Sequence, residues 1–133
     1  MKLNKRQCRE MVNIIQIFIK DHGLSQFRLR ELKILNGFSE VRGTITIEQL
    51  YKDFSIFIYE EVADSYEECI ETLMHELTHL YLYDIFDYVE LLRRHKADSI
   101  YITEANQMWE QITYKLSEYF LQQMKTANKI KQL

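Results

Sequence analysis

The chain has no proline, three glycines and two cysteines in 133 residues. Without proline, and with little glycine, few positions break or kink the backbone, so long regular elements are expected rather than irregular loops. Cys8 and Cys69 lie far apart and outside any C-x-x-C pattern. That excludes a disulfide framework and a thiolate zinc site, and leaves two reduced thiols. No apolar run reaches membrane-spanning length. The stretch after Lys2-Leu3-Asn4-Lys5-Arg6 is broken by Glu10, Asn13 and Gln16, so it reads as neither a signal peptide nor an anchor, and a cytoplasmic protein is expected. Charge of one sign is also missing. Seventeen Lys and Arg against twenty Asp and Glu give a net charge of −3, which argues against electrostatically driven nucleic-acid binding as the main role.

What is present is a core. Hydrophobic residues make up 47% of the chain, with nine Tyr and seven Phe, enough for one domain over residues 1–133 with aromatic-rich walls. Met11, Ile14, Ile15, Phe18 and Ile19 recur at helical spacing and predict a helix over about Asn4 to Asp21. His22-Gly23 is its stop, with Gly23 left-handed and His22 a partner for the helix dipole. Phe27–Leu35, Val41–Ile47 and Phe54–Tyr59 read as strands, the first two separated by an Asn36-Gly37 turn. Together they predict a small antiparallel sheet. Phe54–Tyr59 is either an internal strand or an edge on which an extended substrate can pair. Thr103 to about Lys125 is helical again, and the polar tail 126–133 is expected to fray. The fold class is α+β: an N-terminal helix, a small sheet, a central helix and a C-terminal helix.

The central helix carries the chemistry. Ser65, with Glu68 three residues on, is a capping-box pattern, and Ile70, Leu73, Leu77, Leu80 and Tyr81 make its core stripe. Within it lies His75-Glu76-Leu77-Thr78-His79, an H-E-x-x-H sequence. Histidines four apart on a helix share one side, so both imidazoles can reach one metal ion. Glu76, about 100° around the helix, can face a zinc-bound water as general base without being a ligand. The plain alternative is a helix whose two histidines are hydrogen-bonded and hold no metal.

A catalytic zinc usually has three protein ligands and an open position. Glu104, 25 residues past His79, opens the last predicted helix and is followed by Ala105-Asn106, small enough for close helix approach. It is the expected third ligand. His95 is its rival, within the basic run Arg93-Arg94-His95-Lys96, followed by Glu90, Asp84 and Asp98. Imidazole and carboxylate also suit Mn, Fe, Co and Ni. For an oxyanion donor, Tyr81, Tyr83, Tyr101 and His95 are candidates.

Met74-His75-Glu76-Leu77-Thr78-His79-Leu80, followed by Thr103-Glu104-Ala105-Asn106-Gln107-Met108-Trp109, resembles the ImmA/IrrE family of zinc metallopeptidases, over residues 73–80 and 103–109. That family commonly has Gly where this chain has Thr78, and Phe-Ala where it has Met108-Trp109. The resemblance implies a minimal zincin-like fold of the gluzincin type, with Zn²⁺ on His75, His79 and Glu104 and Glu76 as catalytic base. It also implies a protein or peptide substrate of the repressor or stress-regulator class. The SprT-like proteases are similar too, with His95 as third ligand, but Arg94 stands where their usual Gly precedes that residue. The expected activity is zinc-dependent peptide hydrolysis; the alternative is a non-catalytic interaction protein that keeps the fold and binds a regulator. A membrane or nucleic-acid partner is not expected.

Overall fold

The structure is a computed structural model that describes residues 2–36, 40–83, 87, 91, 94 and 99–130. Its elements are α1 (Lys5–Asp21), β1 (Arg28–Leu35), β2 (Gly43–Glu48), β3 (Asp53–Tyr59), α2 (Tyr66–Tyr81) and α3 (Ser99–Thr126). Gly37 of the expected turn lies outside the described residues, as do Asp84, Glu90, His95 and Asp98.

The α1 start is set by a complete capping box. The Asn4 side chain accepts from the Gln7 N–H at 2.8 Å, and the Gln7 side chain accepts from the Asn4 N–H at 3.0 Å. Gly23 ends the helix at φ +66°, where a side chain would be strained. His22 does not serve the dipole as a cation. Its ring packs between Phe18 and Phe120, with centroids at 4.3 and 4.5 Å, and burial lowers its pKa, favouring the neutral form.

The sheet order is β1-β3-β2, with β1 parallel and β2 antiparallel to β3. The sheet is therefore mixed, not antiparallel as the sequence suggests. Hydrophobicity explains the order. Phe54, Ile56 and Ile58 are buried almost completely, so β3 takes the centre, while the charged β1 takes an edge. A hairpin makes β2 antiparallel to β3, and β1 is left to pair with β3 in the parallel sense. The register aligns Leu29 and Ile47 with Phe54, Leu32 and Ile45 with Ile56, and Ile34 with Ile58, which builds one apolar face. β3 is the central strand, so the edge-pairing expectation for Phe54–Tyr59 fails; among the described residues, β2 is the edge strand beside α2.

That apolar face is covered by α2, with α1 and the C-terminal half of α3 completing the core through Phe18, Phe120, Leu121 and Met124. Ser65 caps α2, its hydroxyl accepting from the Glu68 N–H at 3.2 Å. The Glu68 carboxylate accepts from the Asp64 N–H instead of that of Ser65, so the box is only half of the expected pattern. Gly43 lets α2 approach β2. A Cβ there would stand 2.6 Å from Thr72 Cγ2 and 2.9 Å from the Phe57 carbonyl oxygen. Helix α3 runs back along α2, with Lys125 Nζ 3.3 Å from Glu67 near one end and Glu110 beside His75 and His79 near the other. The tail does not fray at once after Thr126. Ile130 is buried in the core, and Lys129 pairs with Asp21. Among the described residues, no helix is long and apolar enough to cross a membrane.

Candidate metal centre

Helix α2 is buried on most of its circumference. Cys69, Ile70, Leu73, Met74, Leu77 and Leu80 fill the core, which leaves Thr72, His75, Glu76 and His79 on the side that lines a cleft. The two histidine rings are neighbours, as helical spacing of four allows, and stand perpendicular with centroids 4.7 Å apart. Opposite them on α3 stands Glu110. Its two oxygens divide between the rings: Oε2 lies 3.5 Å from His75 Nε2 and Oε1 lies 3.5 Å from His79 Nε2. Ligand atoms of all three residues lie within 4.8 Å of one another.

Electrostatics distinguish this cluster from ordinary ion pairs. Burial lowers the pKa of His75, against the opposing pull of Glu110. Burial, then the neighbouring His75, takes His79 down to about 3. Both rings are thus neutral near pH 7 and present lone pairs, as a metal requires. Ligand atoms at about 2.0–2.1 Å from a tetrahedral ion stand roughly 3.3 Å apart; the two carboxylate–imidazole separations of 3.5 Å are near that spacing, and the whole set, within 4.8 Å, would draw in around an ion. Glu76 is 6% exposed and reaches the cleft wall. Burial, and then the charge of Glu110, raises its pKa to about 8.

His79 is held on two further sides. The Trp109 ring lies against it with centroids 4.3 Å apart and planes tilted by 41°, and the Thr113 hydroxyl stands 3.4 Å from its Nδ1. Trp109, Glu110 and Thr113 all come from just over one turn of α3.

The structure brings His75, Glu76 and His79 to one cleft, but not Glu104. Glu104 is exposed and lies outside the cluster. The reason is helical phase: Glu104 lies six residues before Glu110, about 240° around α3, so packing that turns Glu110 to the histidines leaves Glu104 exposed on another side. Glu110, six residues later, takes the facing position. In sequence Glu110 is one charge among many on a long amphipathic helix; the signal that singles it out is that a helix running back along α2 sets one side against His75 and His79. Of the oxyanion candidates, Tyr81 packs on His22 and Phe120, and Tyr83 packs on Phe27 beneath Lys52; neither lines the cleft. Tyr114, one turn beyond Glu110, does line it, and its hydroxyl bonds to Glu118, which raises its pKa.

The cleft has a volume of about 1210 Å³. One wall is Val41 to Ile45, at and just before β2; the other is α3 from Trp109 to Lys125. Compared with models of protein families, with curated proteins and with solved structures, the chain matches none. Its function is therefore read from the geometry of this cleft.

Proposed function

We propose that the protein is a gluzincin-type metallopeptidase, with His75, His79 and Glu110 as metal ligands and Glu76 as general base. The observation that carries this reading is the convergence of two neutral imidazole nitrogens and both oxygens of one carboxylate, with a buried glutamate beside them in an open cleft. A divalent ion such as zinc held there would supply Lewis acidity and make water acidic enough to attack near neutral pH. Glu76 accepts the proton of the attacking water on its carboxylate and returns it to the leaving amine. Burial and Glu110 hold the pKa of the Glu76 carboxyl at about 8 in the metal-free protein; a divalent ion beside it would favour the carboxylate that accepts the proton. Two phenols line the cleft, Tyr114 and Tyr119; we assign Tyr114, one turn beyond Glu110, to the developing oxyanion, a role for which its proton must turn from Glu118 to the substrate.

Among the described residues β2 is an edge strand, and such an edge suits a substrate in extended form, since added main-chain hydrogen bonds hold a peptide without regard to its sequence. The ligand set keeps the gluzincin plan of two histidines on one helix and a glutamate on a later one. It departs from the glutamate that the ImmA/IrrE resemblance implies, because Glu110 replaces Glu104. The substrate class implied by that resemblance, repressors and stress regulators, is the first to try.

The test is hydrolysis of an unfolded protein such as casein by the zinc-supplied protein, read by mass spectrometry, beside Glu76→Gln. The reading expects cleavage by the wild type and a loss of at least about 100-fold in the variant, in the range general bases supply, with zinc retained. Equal cleavage by both proteins would sink it.

A further inference from the structure

We propose that Thr113 is a positioning residue that fixes His79 as the tautomer with its proton on Nδ1, so that the bare Nε2 faces Glu110. Its use in holding a metal rests on the metal-centre reading above; the hydrogen-bond argument does not.

Thr113 is 0% exposed, so its hydroxyl has no water to bond. Its oxygen lies 2.8 Å from the carbonyl oxygen of Trp109, one turn back, and donates to it. A threonine hydroxyl carries one proton and two lone pairs. With that proton committed, the oxygen can only accept from the atom that faces it on the other side, which is His79 Nδ1 at 3.4 Å. A neutral imidazole carries one N–H, so the proton belongs on Nδ1 and the lone pair on Nε2. Ring orientation is held by Trp109 on one face and by His75 nearby.

The consequence falls on Glu110. The bare Nε2 of His79 stands 3.5 Å from Glu110 Oε1, so two electron-rich atoms face each other, a pairing a cation relieves. Outer partners of this kind set ring tautomer and orientation at metal centres, and their loss costs about 10–100-fold in affinity. Helix α3 thus supplies both a ligand, Glu110, and the group that orients a second ligand, Thr113, three residues on.

Two measurements decide the matter. Long-range proton–nitrogen correlation spectra of metal-free, ¹⁵N-labelled protein, with His79 assigned through His79→Gln, should show a protonated Nδ1 and an unprotonated Nε2. A proton on Nε2 would overturn the proposal. Zinc competition against a chelating dye should then show Thr113→Val weakened by about 10–100-fold and Thr113→Ser close to wild type, since serine keeps the hydroxyl. Affinity unchanged in Thr113→Val, or lost equally in Thr113→Ser, would overturn it as well. If Thr113→Val does not fold, the spectrum and the serine variant still decide. If the wild type takes up no zinc, the metal-centre reading fails separately, and the spectrum alone judges Thr113.

Discussion

The Trp109 indole lies against the His79 imidazole, with centroids 4.3 Å apart. Trp109 is the only tryptophan in the chain, so it reports on this site alone. Zinc bound at His79 Nε2 would change the ring that the indole touches. We expect tryptophan emission to change saturably as zinc is added, and the change to be absent in His79→Ala. Emission that is flat in the wild type while zinc binds, or that changes equally in the variant, would contradict the stacking.

Gly43 makes a second claim on side-chain size. A methyl group there would meet Thr72 Cγ2 at 2.6 Å and the Phe57 carbonyl at 2.9 Å. Overpacking of this kind costs about 1–3 kcal/mol, so Gly43→Ala should lower the denaturant midpoint accordingly. Gly43→Ala combined with Thr72→Ser should recover part of the loss, because the clash with Cγ2 goes and that with the backbone stays. A variant as stable as the wild type would show that β2 and α2 do not approach as described.

Glu76 makes the stability of the metal-free protein depend on pH. Its folded pKa of about 8 lies above the ordinary 4.5, so the folded state keeps a proton that the unfolded chain releases. That contribution is complete below about pH 4.5 and is lost as pH rises toward 8. His79 acts at the acid end: a folded pKa of about 3 against 6.5 means stability is lost as pH falls from 6.5 toward 3. Glu76→Gln cannot ionise. Its stability relative to wild type should therefore rise with pH, by about 1.4 kcal/mol per pH unit at most across the Glu76 window. Denaturant melts of both metal-free proteins at pH 5, 7 and 9 check this, and parallel profiles would contradict it.

How much of this was legible beforehand follows from what is local. The Met11–Ile14–Ile15–Phe18–Ile19 stripe, Gly23, and Ser65 before the Ile70–Leu73–Leu77–Leu80 stripe mark helix ends and faces through residues close in sequence, and they read correctly. The three strands read correctly as strands for the same reason. Their expected antiparallel pairing did not, because parallel pairing of β1 with β3 joins segments some 25 residues apart (Arg28 beside Asp53) and is chosen by which strand buries most. Likewise His75, Glu76 and His79 share one helical turn and could be placed together. Glu110 belongs to another helix, and only the packing of α3 on α2 makes it their neighbour. Thr113 is a harder case: its role depends on where one hydroxyl proton goes, which no spacing in the sequence records.

The central claim is that His75, His79 and Glu110 hold a metal ion. The most direct measurement is zinc stoichiometry and affinity for the purified, zinc-supplied wild type beside Glu110→Gln and Glu104→Gln. The account predicts about one zinc per wild-type chain, in keeping with a single three-ligand centre. It predicts a loss in Glu110→Gln larger than the roughly 10–100-fold typical of outer-shell changes, and affinity near wild type in Glu104→Gln. No zinc on the wild type would contradict the metal centre itself, and loss of zinc in Glu104→Gln with retention in Glu110→Gln would contradict the ligand set.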